Sequence, residues 1–212
     1  MNYSLELEKI LEKIDIQNKP SLLLHACCAP CSSYCLEYLA KYFKITLFYY
    51  NPNIDSKEEF DKRLNELKRF VREVHKDIDI IDGIYNYNEF EEIANGLESA
   101  KEGGPRCFKC YRLRLTKTAS VAQEKNFDYF GTTLSISPYK NAEKLNSIGL
   151  ELEKEYGIKY LTSDFKKKNG YIRSIELSKK YNLYRQDYCG CKYSKLEREK
   201  YIYEKNLVFT QN

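Results

Sequence analysis

The 212-residue chain contains no tryptophan, one methionine, two histidines and five prolines. None of its apolar runs approaches the ~18 residues that a bilayer span needs. The first residues, MNYSLELEKILEKID, alternate charge with Leu and Ile at helical spacing and lack the apolar core and cleavage site of a secretory signal. A cytoplasmic location without membrane attachment is therefore expected. No Pro/Gly/Ser-rich linker, repeat or low-complexity stretch interrupts the chain, so one domain over 1–212 is expected, with a lead-in helix at 1–19 and a C-terminal tail at 195–212. Charge of either sign is scarce in excess. A net +4 permits nucleic-acid binding without diagnosing it. The one notable basic run, Lys166 to Lys168 with Arg173 and Lys179 nearby, reads as solvated surface.

Cysteine is what the chain has in a pattern. Seven of eight fall in three tight groups: Cys27, Cys28 and Cys31 in HACCAPC, Cys107 and Cys110 in CFKC, and Cys189 and Cys191 in CGC. In a reducing compartment such groups ligate metal or exchange electrons more often than they form structural disulfides. A 25.1 kDa chain buries enough surface not to need a disulfide framework. Cys35, four residues after Cys31 on an expected helix, reads as a small buried hydrophobe.

The apolar run Ser21 to Ala26 predicts a strand that meets the CCAPC loop, then a helix capped by Ser32 or Ser33 and a second strand over Lys44 to Tyr50. A turn at Asn51-Pro52-Asn53 leads to a long helix capped by Asp55 or Ser56. DIDIIDG predicts a third strand and residues 88–99 a helix. After Gly103, Gly104 and Pro105, a helix running to about Asn126 carries Cys107 and Cys110 in its first turn. Tyr129 to Ser137 predicts a fourth strand, LNSIGLELEKEY a helix, IKYLTSD a fifth strand and ELSKKYNLYR a short helix. The alternation implies an α/β fold with a mostly parallel sheet sandwiched by helices. Ligands bind beyond the carboxyl ends of strands in such folds, which is where the first cysteine loop falls.

Cys107 and Cys110, three residues apart in a first helical turn, turn their sulfurs to one side, where the helix dipole favours thiolate. Cys27 and Cys28 cannot both ligate from a regular strand, but in a loop they can converge, and an iron-sulfur cluster accepts vicinal ligands more readily than one zinc ion. Three readings stay open for Cys31: a further ligand, a second metal site, or packing at the helix start. Gly190 allows the sharp turn that would bring Cys189 and Cys191 together. A disulfide in so small a ring would reduce readily, as suits a redox pair, the other reading being metal ligands or free thiols.

The order HACCAPC, NPNI, RCFKCYRLRL, TTLSISPYKN and YRQDYCGCKYS, from about Leu22 to Ser194, closely resembles the cobalamin-independent epoxyqueuosine reductases, a bacterial tRNA-modification family. The resemblance implies reduction of epoxyqueuosine in tRNA to queuosine, driven by an unidentified electron donor. It also implies a [4Fe-4S] cluster with one additional iron, on a fold similar to the adenine-nucleotide α-hydrolase or PP-loop group. By motif position, Cys27, Cys28, Cys107 and Cys110 would be the cluster ligands, and Cys189 and Cys191 the redox-active pair. Candidate proton donors inside the motifs are His25, Asp187 and Tyr139, with a structural role the ordinary reading of each.

Three other functions compete. A zinc-stabilised RNA-binding module would need no redox pair. A PP-loop tRNA thiolase would need the Ser-Gly-Gly pyrophosphate cradle, and HACCAPC stands in its place. A general dithiol oxidoreductase using CFKC would leave CCAPC unexplained.

Overall fold

The computed structural model describes residues 1–210, with side chains through Asn206. Helix α1 (Tyr3–Leu11), capped by Asn2, precedes strand β1 (Ser21–His25), helix α2 (Ala29–Leu39), strand β2 (Lys44–Tyr49) and helix α3 (Lys57–Val74). Strand β3 (Asp79–Asp82), helix α4 (Tyr87–Ala94), helix α5 (Pro105–Glu124) and strand β4 (Tyr129–Thr132) follow. A 3-10 turn (Thr133–Ile136), helix α6 (Ala142–Tyr156), strand β5 (Lys159–Tyr160), helix α7 (Gly170–Lys180) and helix α8 (Lys192–Thr210) complete the described chain. Among the described residues no helix is long and apolar enough to cross a membrane.

The five strands form one parallel sheet in the order β3-β2-β1-β4-β5. β1 is central, pairing Leu22 with Ile45 on one side and with Tyr129 on the other. Successive side chains of a strand point to opposite faces. Leu22 and Leu24 accordingly join the core under α1, α2 and α3, while Leu23 joins Leu115, Ala119, Leu145 and Ile148 of α5 and α6. All three β1 leucines are fully buried, each contributing about 1.5–3 kcal/mol. This two-sided burial is why β1 reads as an unbroken apolar run.

Local chemistry moves several expected boundaries. α2 begins at Ala29 rather than at Ser32 or Ser33, because Pro30 fits the first turn, where its missing N–H costs nothing. The serine hydroxyls instead donate to the Cys28 and Pro30 carbonyls at 2.9 Å. Ser56, not Asp55, caps α3 by accepting from the Glu59 N–H at 3.2 Å. The expected fourth strand stops at Thr132, whose hydroxyl accepts from the Leu134 N–H and opens the 3-10 turn. At the sheet edge β5 keeps two residues; beyond it Asn146 takes over, accepting from the Ser163 N–H and donating to its carbonyl. α1 occupies only part of the expected 1–19 lead-in, and α7 starts six residues before Glu176. Most of the expected tail is α8; Gln211 and Asn212 lie outside the described residues.

Candidate functional site

Parallel sheets bind ligands where neighbouring crossovers leave in opposite directions, which here is the crevice beyond β1 and β4. The CCAPC loop enters it from β1, and Thr133 enters from β4, its hydroxyl 3.8 Å from the Cys27 sulfur. The Cys27 and Cys28 sulfurs are 3.7 Å apart, and with that of Cys31 they lie within 4.8 Å of one another. Convergence is possible because Cys28 is the extended N-cap of α2 and Cys31 sits in the helix's first turn. Hydrogen bonds from the Cys27 and Cys31 thiols hold the Cys28 thiol well below its ordinary range. The bond to Cys28 pushes Cys27 up, and bonds to Cys27 and then Cys28 push Cys31 well up. Three soft donors this close together fit a thiophilic metal or an iron-sulfur cluster.

Cys107 stands in the first turn of α5 and Cys110 in the second, one turn deeper than expected, because Pro105 opens the helix. Cys27 packs against the cluster that holds Cys107, while Cys110 packs with Cys191, Phe90 and Ala94. Burial pushes both thiols up, Cys110 to about 12, so it outweighs the helix N-terminus that the sequence suggested would favour thiolate. Metal binding would release these protons. Cys189 lines the same cavity as Cys27, Cys28 and Cys31. All eight cysteines are free, so the expected disulfide is absent and Cys189 and Cys191 stand as separate thiols. Cys35 is fully buried in the core, as read.

The turn between Cys189 and Cys191 is built tightly. Gly190 has φ +120°, and an added Cβ would lie 3.1 Å from both Arg63 Nη1 and Ile54 Cγ1. Its carbonyl accepts from the Asp55 N–H at 2.9 Å, and Arg63 Nη1 donates to the Cys189 carbonyl at 3.1 Å. Arg63, 2% exposed, is held in turn by Glu59 at 2.6 Å.

Three buried cations surround the thiols, and none of them was singled out from sequence. Besides Arg63 there is Lys140, whose Nζ donates to Glu102 at 2.9 Å. Burial opposes its charge, but Cys189 and Glu102 outweigh that and keep the ammonium protonated well above the usual lysine range. The third is Arg114, 2% exposed, donating through Nε to His25 at 3.3 Å and through Nη2 to Asn51 at 2.5 Å. Asn51 in turn donates to the Ala26 carbonyl at 3.0 Å, which gives the NPN turn its role. Both of these partners are neutral; burial works against the guanidinium's charge, while the sulfurs of Cys110, Cys27 and Cys189 favour it. A periodicity signal for Arg114 did exist, since it follows Cys110 by four residues on one helix face. Lys140 had none.

The proton-donor candidates separate. His25 is fully buried, with its ring nitrogens 3.0 Å from the Thr132 hydroxyl and the Tyr50 carbonyl, and burial, with Arg114 beside it, pushes it down to about 3. It is a structural imidazole. Asp187 lines the cavity but pairs with Arg198 at 3.1 Å, and Tyr139 is 73% exposed at the cavity mouth. The cavity measures about 670 Å³. A second, of about 510 Å³, lies at the amino ends of the strands near Ser21 and Lys44 and has no cysteine in its walls.

The family model described as epoxyqueuosine reductase QueH matches residues 22–197. The epoxyqueuosine reductase QueH of Streptococcus pyogenes serotype M1 is 44% identical over 193 residues, covering 89% of this chain and 75% of the relative. That of Staphylococcus epidermidis is 39% identical over 208 residues, covering 93% and 87%. Among solved structures, the U34-tRNA thiolase NcsA from Methanococcus maripaludis with its [4Fe-4S] cluster gives a TM-score of 0.53 at 13% identity, covering 91% of this chain and 67% of that one. At that identity the likeness is one of fold, and it agrees with the PP-loop-like architecture expected from the motifs. The family model's match over residues 22–197 and relatives 44% and 39% identical over most of both chains lead to one conclusion: this chain belongs to the epoxyqueuosine reductase QueH family.

Proposed function

We propose that this chain reduces the epoxide of epoxyqueuosine in tRNA to the alkene of queuosine, in the cytoplasm, as the last step of queuosine biosynthesis. In this reading Cys27, Cys28, Cys107 and Cys110 hold a [4Fe-4S] cluster, with one additional iron and Cys31 beside it. Such a cluster, when bound, supplies single electrons. The observation that carries the reading is the trio of thiols within 4.8 Å, opening into a cavity that Cys189 also lines.

The chain's own residues account for the remaining needs. Removing an epoxide oxygen as water takes two electrons and two protons. Oxidising two thiols to one disulfide releases the same two electrons and two protons, so Cys189 and Cys191 balance the reaction, and an external electron donor returns them to the dithiol. Lys140 Nζ, held at the cavity wall by Glu102, offers a hydrogen bond to the departing oxygen, whose two protons come from the dithiol. Arg63 fixes the CGC turn by its bond to the Cys189 carbonyl. The test is anaerobic incubation of the iron-loaded protein with epoxyqueuosine-bearing tRNA and a reductant, followed by nucleoside analysis. Queuosine should accumulate over many turnovers. Iron-loaded protein that leaves epoxyqueuosine unchanged overturns the reading.

A further inference from the structure

The cavity's floor is thiol and buried cation, but its mouth is built of different material. Tyr139 projects from the turn after the 3-10 segment and is 73% exposed, while its neighbour Lys140 is anchored inward on Glu102. Tyr201, on α8, is 55% exposed. Tyr171, in the first turn of α7, and Tyr188, just before the CGC turn, complete the aromatic lining. Three guanidiniums lie against these rings: Arg185 is 5.5 Å from the centroid of Tyr171, Arg198 is 5.4 Å from that of Tyr201, and Arg63 is 5.2 Å from that of Tyr188. Four separate segments therefore bring tyrosine to one rim. Scattered exposed aromatics call for no explanation, but rings converging on the entrance of one cavity do.

Resting on the function proposed above, we infer that this rim is a stacking platform for the unpaired nucleotides flanking the modified one, with Arg185 meeting a phosphate. The argument is geometric. A nucleotide reduced at thiols on the cavity floor must leave its stack to enter a pocket of small-ligand size, and its neighbours in the chain then lie across the entrance. Aromatic faces stack any base, and guanidiniums serve phosphate and ring alike, which is how proteins hold single-stranded loops. Of the cations lining the cavity, Arg63, Lys140 and Arg198 pair with Glu59, Glu102 and Asp187 and Arg114 is buried among the thiols, so Arg185, bonded to the Ser178 hydroxyl, is the rim cation that no ion pair neutralises among the described residues. Tyr139 and Tyr201 are the anchoring pair because they are the most exposed of the four rings.

The test is binding of the full chain to a fluorescent RNA stem-loop whose loop carries the modified nucleotide, with a blunt RNA duplex of equal charge as the comparison. Stacking one base is worth about 1–3 kcal/mol, so Tyr139→Ala and Tyr201→Ala should each weaken stem-loop binding by roughly 5- to 150-fold. Tyr139→Phe should restore it. Duplex binding should change by less than twofold in all three, and Arg185→Gln should lower the salt slope by about one phosphate contact. Unaltered thermal midpoints would show that the exposed rings were removed without loss of fold. Stem-loop affinity within twofold of the parent in both alanine variants overturns the inference, as does a parent that binds duplex as tightly as loop, or a rim that takes a protein and no RNA. The binding assay needs no turnover, so a protein that binds the loop but leaves the epoxide intact refutes the proposed reaction and not the platform.

Discussion

Arg114 offers the sharpest quantitative test, because its energetics change sign with the state of the thiols. The guanidinium is 2% exposed and its hydrogen-bond partners His25 and Asn51 are neutral. A buried charge without a counter-charge costs several kcal/mol. Replacing it with methionine removes that cost but forfeits hydrogen bonds from a charged donor, worth about 1.5–3 kcal/mol each, and leaves Asn51 Oδ1 unpaired. In the metal-free protein the two effects oppose each other, so Arg114→Met should shift urea stability by no more than about 2 kcal/mol. With metal bound, the thiols that face the guanidinium become thiolates and the pair is complete. Removing one partner of a buried ion pair costs about 3–5 kcal/mol, so iron should be lost to a chelator at concentrations lower by about two to four orders of magnitude. Arg114→Lys, which keeps the charge but not the fork, should fall between. The assay is chelator competition beside urea unfolding of the metal-free protein. An equal loss of stability in metal-free and loaded protein would show that Arg114 serves packing alone.

Cys107→Ala and Cys110→Ala should each lose most of the iron and acid-labile sulfide after anaerobic purification; full retention in both excludes them as ligands. Cys189→Ser and Cys191→Ser should keep their iron yet fail at multiple turnovers, since either loss prevents the disulfide, and normal steady-state activity in either variant defeats the redox-pair assignment. Gly190→Ala, strained at φ +120° and crowded by Arg63 and Ile54, should cost about 1–3 kcal/mol in urea unfolding, and a change under 0.5 kcal/mol would refute the tight turn. Asp128 accepts from the Ser21 N–H at 2.8 Å and from its hydroxyl at 2.7 Å, tying β4 to β1, and those bonds hold its carboxyl below the usual range. Its stabilisation is therefore present above the ordinary aspartate value and lost as pH falls through the depressed one. Asp128→Asn should cost about 1 kcal/mol at pH 7, discounted because the carboxyl is exposed, and the deficit should shrink toward pH 3. A deficit that does not depend on pH would contradict this.

The architecture was legible wherever burial is two-sided or a cap is encoded locally. SLLLH reads as a buried central strand because both its faces meet helices, and Ser56 with Glu59 spells out the start of α3. Misplaced boundaries arose where a side chain captures backbone at a distance the sequence does not display. Thr132 ends β4 by accepting from Leu134, and Asn146, seventeen residues away, holds Ser163 in place of further strand. α8 escaped notice because its apolar residues, among them Leu196, Tyr201 and Ile202, remain exposed and form no single buried stripe.

The site divides along the same line. Cysteine groups announce themselves by spacing, since thiols that share a metal must be close and are easily supplied by neighbours in the chain. The cations that balance them carry no such mark, because a counter-charge need only be near in space. Arg63 on α3, Arg114 on α5 and Lys140 before α6 reach the crevice from three elements. In sequence they look like members of a charged composition that is mostly surface. Their burial distinguishes them: each is at most 7% exposed, and a protein keeps positive charge that deep only where negative charge is near. Glu59 answers Arg63 and Glu102 answers Lys140, which leaves Arg114 to the sulfurs. The sulfur chemistry of this crevice is thus marked twice, once by the cysteines and once by an arginine whose charge no carboxylate answers.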